Sequence, residues 1–236
     1  VYLNYRNYFK DKKKKFLVIF RGINTDFYNP QKINQDKLEK LIDEWKVDKE
    51  KFVILLPGRL TKWKGHEVFI DALNILNQRY NIKSFIAIIL GNDQGRKVYS
   101  KKLESLAERY RLNNNLIFIP KCEEMPLAYE MANVVVSSSI EPEAFGRISV
   151  ESQSMQKTII ASNIGGSKET IINEKTGFLV EAGNSNALAE KLIEIMNLDS
   201  WTLQSIGIEG RKNVLKKFDI DRMCFTTFSE YKKLLE

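Results

Sequence analysis

Six short apolar runs, each bounded by polar or turn residues, limit the architectures open to this chain more than any other feature. They are Phe52 to Pro57, Phe85 to Leu90, Leu116 to Ile119, Asn133 to Ser137, Thr158 to Ala161 and Phe178 to Val180. Continuous apolar runs of this length read as strands buried on both faces. Between them lie stretches with helical spacing. In Glu67 to Leu76, the side chains of Val68, Phe69, Ala72, Leu73 and Leu76 share one face. Tyr99 to Tyr110, Met125 to Ala132 and Ile148 to Met155 are further helices, and Asn186 to Met196 opens after an Asn-Ser-Asn capping signal. Strands alternating with helices that cover both sheet faces predict an α/β fold, a Rossmann-like doubly wound parallel sheet.

The two ends stand outside that rhythm. Phe16 to Pro30 reads as a short strand, a turn at Gly22 and a stop at Asn29-Pro30, which suits a connector. Asp219 to Leu235 reads as a helix whose Phe225, Phe228, Tyr231, Leu234 and Leu235 form an aromatic-rich stripe. Taken alone, such a stripe is expected to be core packing.

Composition narrows the chemistry. No run approaches the roughly 18 apolar residues of a membrane span, and Val1 to Lys15 lacks the apolar stretch and small residues of a signal peptide. Cys122 and Cys224 lie far apart and form no C-x-x-C pair, so neither a zinc site nor a disulfide framework is expected, and a reducing cytosol is. The net charge of +7 admits nucleic acid, an anionic membrane surface or a phosphorylated small molecule as partner. The run Lys12 to Lys15 reads as a solvated face. His66 is the one histidine, which excludes a multi-histidine metal site, and its place at a helix start suggests a first-turn surface residue. Carboxylates, basic side chains and backbone amides remain to carry any chemistry.

Open α/β sheets bind ligands beyond the carboxyl ends of their strands. Neither G-x-G-x-x-G nor G-x-x-x-x-G-K-[ST] occurs, so a dehydrogenase or P-loop nucleotidase loses its phosphate loop. The first core strand is followed instead by Gly58-Arg59-Leu60-Thr61-Lys62-Trp63-Lys64-Gly65. Gly58 allows close backbone approach, and Arg59 and Lys64 offer a planar fork and a point charge, a combination that suits a diphosphate. A solvated basic loop is the alternative. After the strand ending at Ser137 comes Glu143-Ala-Phe-Gly-Arg-Ile-Ser-Val-Glu151. Glu151, in a helix, is placed to accept hydrogen bonds from a vicinal diol. Glu143 can meet sugar hydroxyls, while the amides of Phe145, Gly146, Arg147 and Ile148 at the helix start face a phosphate or hydroxyl. The alternative makes Glu143 a capping acid and Glu151 a surface residue.

Together, G-R-L-x-x-x-K-G, E-A-F-G-x-x-x-x-E, S-N-I-G-G-S-K-E and T-G-F-L-V resemble the donor domain of family 4 glycosyltransferases, the group 1 glycosyl transferases of the GT-B fold. The likeness runs from about Val18 to Leu235, and Phe20 to Pro30 is similar to the family's interdomain linker. It implies that residues 1–33 are the remnant of an N-terminal domain with its linker, that 34–216 bind the donor, and that 217–236 pack back on an absent acceptor domain. It implies a retaining, metal-independent hexosyltransferase that needs no cofactor and moves sugar from a UDP- or GDP-sugar to a glycan or lipid-linked acceptor, as in cell-envelope polysaccharide synthesis. The expected location is the cytoplasm, with peripheral contact at the inner membrane face and no nucleic acid partner. Arg59 and Lys64, with Gly58, would bind the diphosphate; Glu151 the ribose; Glu143 with the amides from Phe145 to Ile148 the transferred sugar and distal phosphate. The base would lie near Pro120, Lys121 and Cys122. Catalysis would rest on Glu143, Arg59 and Lys64. The sequence departs from the family's pattern at Arg147, where an apolar residue is usual, at Pro120, and at Gln156-Lys157-Thr158. A GT-B epimerase or phosphorylase, or a non-catalytic nucleotide- or nucleic-acid-binding module, are the alternatives.

Overall fold

A computed structural model describes residues 17–235; the lysine run Lys12 to Lys15 lies outside the described residues. The six expected strands form β1 (Phe52–Pro57), β2 (Phe85–Leu90), β3 (Leu116–Ile119), β4 (Val134–Ser137), β5 (Thr158–Ser162) and β6 (Phe178–Val180). They make one sheet in the order β3-β2-β1-β4-β5-β6, with every neighbouring pair parallel. This is the doubly wound arrangement, and it reverses direction between β1 and β4.

The helices are α1 (Gln35–Glu44), α2 (His66–Asn74), α3 (Lys97–Arg109), α4 (Met125–Met131), α5 (Arg147–Ser154), α6 (Ser167–Thr170), α7 (Ser185–Met196), α8 (Ser200–Lys217) and α9 (Ile220–Leu235). They cover both faces of the sheet because its strands are apolar on both. Ile54 and Leu56 of β1 pack into one core with Phe69 and Leu73 of α2, Leu103 of α3 and Leu192 of α7. Their neighbours Val53 and Leu55 enter the other, with Leu38 of α1, Leu127 of α4 and Val150 of α5. The two-residue period of a strand thus feeds two cores from one uninterrupted apolar run.

Three helices, α1, α6 and α8, were not expected from sequence; α6 is a single turn, and the other two differ in kind. The buried side of α8 consists of Ile206, Gly207, Gly210, Asn213 and Val214, so it carries no apolar stripe. Small residues let α8 approach the sheet's end closely: a Cβ at Gly207 would collide with the Gln156 carbonyl. Asn213 Nδ2 donates to Thr170 O at 3.1 Å. Helix α1 carried its signals openly, since the Asn34 side chain caps the Lys37 amide and Leu38 and Ile42 are buried. The helix expected over Glu67 to Leu76 starts at His66 and continues beyond Asn74 as a π turn, Ile75–Arg79, which keeps Leu76 buried.

The ends also correct the sequence reading. No strand forms in the described part of the connector; Ile23 makes a single bridge instead, its N–H donating to Phe218 O and its carbonyl accepting from Ile220 N, both at 2.9 Å. The stop at Asn29-Pro30 forms as expected, with Asn29 capping a short 3-10 turn. The stripe on α9 is not core: Phe225, Phe228, Tyr231 and Leu235 are exposed. None of the described helices is long and apolar enough to cross a membrane.

His66, read as a surface residue, is completely buried. It opens α2 directly behind the Gly58–Gly65 loop and meets the Tyr99 ring edge-on, with centroids 6.1 Å apart. Burial, with the Lys64 charge acting in the same direction, lowers its pKa to about 4. The unfolded chain binds a proton near pH 6.5 and the folded one does not until about pH 4. The stability this represents is therefore present above pH 6.5 and is lost on acidification through that window. Urea unfolding of His66→Phe, compared with the native chain at pH 7 and pH 4.5, is expected to show about 2–3 kcal/mol less acid destabilisation. An unchanged difference between the two pH values would contradict the buried neutral imidazole.

Candidate functional site

The site lies where the strand order reverses, between the loop after β1 and the loop after β4. Gly58 N–H donates to Leu90 O at 2.8 Å, and a Cβ at Gly91 would strike the Gly58 carbonyl, so the ends of β1 and β2 are interlocked. The chain then makes a single 3-10 turn, Lys62–Lys64, closed by Gly65 in the left-handed region (φ +70). A side chain at Gly65 would also collide with the Ser138 carbonyl beyond β4. Ser138 Oγ donates to the carbonyls of Lys64 (3.1 Å) and Gly65 (3.0 Å), and Ile140 N–H donates to Trp63 O at 2.8 Å. The two loops are joined through backbone carbonyls, by the Ser138 hydroxyl and the Ile140 amide, independently of any ligand.

That closeness brings Lys64 and Glu143 into contact. Lys64 Nζ lies 2.6 Å from Glu143 Oε1, which also accepts from Ser139 Oγ at 2.6 Å. Their side chains are only 10% and 16% exposed, so each charge depends on the other. Lys64 also sits 4.6 Å from the centroid of the Trp63 ring. The Gly165-Gly166 turn underlies this segment: Gly166 N–H donates to Glu143 O at 2.7 Å, and side chains at either glycine would run into the backbone of Glu143 or Phe145. The S-N-I-G-G-S-K-E stretch is therefore a backbone platform for the glutamate loop.

Helix α5 begins at Arg147 after Gly146, whose φ of +77 turns the chain and supplies no side-chain cap. No side chain caps the first amides of the helix, and Gly146, Arg147 and Ile148 line the cleft, a helix start at which an anion is favoured. One turn on, Glu151 is buried at 6% exposure, and both its oxygens are engaged. Arg147 approaches Oε1 through Nε at 3.0 Å and Nη2 at 2.8 Å, while Tyr129 OH donates to Oε2 at 2.8 Å. Burial and the Glu151 charge raise the pKa of both Tyr129 and Tyr28 above the ordinary phenol value; the same charge raises that of Arg147. Tyr28 comes from the connector and packs edge-on against Tyr129, with centroids 6.0 Å apart.

One cavity of about 670 Å³ is lined by Gly58, Arg59, Lys64, Lys121, Cys122, Glu143, Phe145, Gly146, Arg147, Ile148 and Glu151, whereas Pro120, expected near the base, lines a neighbouring pocket instead. Arg59 and Lys121 are exposed at its surface, and Cys122 is half-buried, its thiol pKa pushed up by burial. The reading of Glu151 as a surface residue and of Glu143 as a helix cap is excluded by burial and by the Lys64 contact. Tyr129, Tyr28, Arg21, Trp63 and Asn92 also line the cavity and were not foreseen. Tyr129 reaches it only because α4 packs beneath the sheet's switch point, which no local pattern announces. Among the described residues, no group of three or more His, Cys, Asp and Glu gathers that could hold a metal ion.

Comparison with known proteins places this geometry. The family model of the glycosyl transferases group 1 matches residues 37–213. The chain is 30% identical over 209 residues to the capsular polysaccharide biosynthesis glycosyltransferase CapM of Staphylococcus aureus, a match covering 88% of this chain and 52% of that protein. The structure of Anabaena Alr3699/HepE in complex with UDP-glucose aligns with a TM-score of 0.83 at 25% identity, covering 92% of this chain and 57% of that one. The C-terminal domain of LpcC, a glycosyl transferase group 1 family protein from Francisella tularensis, aligns with a TM-score of 0.71 at 28% identity over 84% of this chain and 100% of that one. The chain spans about half the length of the curated relatives it matches. Its doubly wound sheet, with the loops after β1 and β4 joined at the switch point, is a GT-B half-structure, and the chain belongs to the glycosyl transferases group 1 family.

Proposed function

We propose that the cleft binds a nucleotide-diphosphate sugar and that the chain is the donor half of a retaining, metal-independent hexosyltransferase. The observation that carries this reading is the convergence of Arg59, the Lys64–Glu143 pair, the open start of α5 and Glu151 in one cavity at the switch point. These groups match the parts of such a ligand in turn. Arg59 and Lys64, beside Gly58, supply cations for the diphosphate, and the amides from Phe145 to Ile148 supply donors to its distal end. Glu143, held by Lys64 and Ser139, faces the transferred sugar. Glu151 takes the ribose, and the backbone near Pro120, Lys121 and Cys122 takes the base. Alr3699/HepE, similar in fold, was solved with UDP and with UDP-glucose.

In the reaction, the bond from the sugar's anomeric carbon to the phosphate oxygen breaks, and the departing diphosphate keeps the electron pair. The acceptor hydroxyl attacks from the same face and its proton passes to that phosphate. The protein's part is electrostatic: Arg59, Lys64 and the α5 amides stabilise the charge growing on the leaving group, work that needs no metal or cofactor.

Residues 1–33 are read as the remnant of an N-terminal domain with its linker, 34–216 as the donor domain, and 217–236 as a helix that packs on the acceptor domain. The exposed Phe225, Phe228 and Tyr231 support that assignment. The acceptor is read as a glycan or lipid-linked glycan of the cell envelope, met in the cytoplasm at the inner membrane face.

Calorimetric titration with UDP, GDP and ADP is expected to give saturable binding to one of the nucleotides. Arg59→Ala and Lys64→Ala should each weaken it about 10- to 100-fold, the loss of a charge-assisted hydrogen bond, and Glu151→Ala should weaken it less. A folded chain that binds none of the three would contradict the reading. The 236-residue chain alone is also expected to transfer no sugar in a radiolabelled-donor assay, because acceptor contacts lie outside it; measurable transfer would overturn that division of labour.

A further inference from the structure

Arg147 stands where local rules speak against it. It is the first residue of α5, at the positive end of the helix dipole, and it forms its i,i+4 ion pair with the cation on the N-terminal side, the less favourable order. Residues that break local rules tend to mark functional positions. Here the side chain folds back over Glu151 and lies at the rim of the cleft, 67% exposed, while the carboxylate beneath it is 8% exposed.

The acceptor count at Glu151 shows what this does. A carboxylate offers about four lone-pair positions. Arg147 Nε donates to Oε1 and Nη2 lies 2.8 Å from the same oxygen, so the guanidinium covers Oε1, while Tyr129 OH donates to Oε2. At most one position is left open. A ribose diol presents two hydroxyl donors, so both can be accepted only if Arg147 yields at least one of its bonds. The exposed guanidinium can swing into solvent, whereas Tyr129, wholly buried, cannot move.

We infer that Arg147 is a positioning residue that holds the place of the ribose. It keeps the buried Glu151 paired and aimed while the cleft is empty, gives way to the incoming diol, and thereby sets how strongly the site distinguishes a ribonucleotide from its deoxy form. The inference rests on the reading of Glu151 as the ribose-binding carboxylate. When a 2′-deoxy nucleotide binds, Arg147 stays on Oε1 and the missing hydroxyl leaves no acceptor empty. Without the guanidinium, the same ligand leaves a buried carboxylate position unfilled, and the full penalty is felt.

The test compares UDP with 2′-deoxy-UDP, and GDP with 2′-deoxy-GDP, by calorimetry on the native chain and on Arg147→Met, which keeps an unbranched apolar stem and removes the charge. The ribo-to-deoxy preference is expected to rise about tenfold in Arg147→Met, the effect of one hydrogen bond, with affinity for the ribonucleotide held or improved. Arg147→Lys, retaining a charge but not the fork, should fall between. An unchanged preference, or an equal loss of affinity for both nucleotides, would overturn the role assigned to Arg147. Glu151→Gln separates the two layers of the argument. If the ribo preference survives that change, the ribose-binding role of Glu151 fails and the inference with it; if it disappears, the Arg147→Met ratio decides the inference on its own.

Discussion

The contact between the loop after β1 and the end of β4 is the constraint on which the site depends. Gly65 can lie against the Ser138 carbonyl only because it has no side chain, and Ser138 Oγ then bonds to the carbonyls of both Lys64 and Gly65. That approach is available because β1 and β4 are paired neighbours at the point where the sheet reverses direction. From it follow the position of Lys64, its contact with Glu143 and the mouth of the cavity. The Gly165-Gly166 turn repeats the device from below, supporting the glutamate loop through backbone rather than side chains.

A second consequence is electrostatic. Charges that are nearly enclosed must be compensated, and the cleft meets this demand internally: Lys64 with Glu143 and Ser139, Arg147 and Tyr129 with Glu151. Arg59 and Arg21, both exposed at the cleft, and the uncapped start of α5 remain open to an incoming anion. The carboxylates are aimed before binding, so a ligand meets an organised surface and exchanges partners with it rather than ordering loose side chains. His66 belongs to the same design. Its ring fills the space behind the basic loop in neutral form and adds no further cation beside Lys64.

Much of this was legible in the chain. The strand runs carried both the fold and its topology class, because strands apolar on both faces require helices on both sides. Gly58, Arg59 and Lys64 after one run, and Glu143 to Ile148 with Glu151 after another, stood at strand ends where an open sheet gathers its ligands, and the cavity is lined by all of them. What escaped were properties set by three-dimensional neighbours. Helix α8 buries Gly207, Gly210 and Asn213, so its inner face does not look apolar. His66 follows a glycine at a helix start, a pattern shared by exposed and buried residues alike, and only the packing of Tyr99 and the loop above decides. Tyr129 meets Glu151 across 22 residues of sequence through the packing of α4 against the sheet. The α9 stripe, taken alone, reads as core, because periodicity reports a sticky face without saying whether its partner lies in the same chain; the family resemblance is what implied a helix turned toward another domain, and the stripe is exposed.

The central claim is that one cavity at the switch point divides a nucleotide-diphosphate sugar between its two loops. A crystal structure of the chain grown with UDP tests it most directly. The account predicts diphosphate density between Arg59 and the first turn of α5, ribose hydroxyls on Glu151, and the base beside Pro120 to Cys122. Nucleotide ordered elsewhere on the surface, with the Lys64–Glu143 cleft empty at saturating UDP, would contradict it.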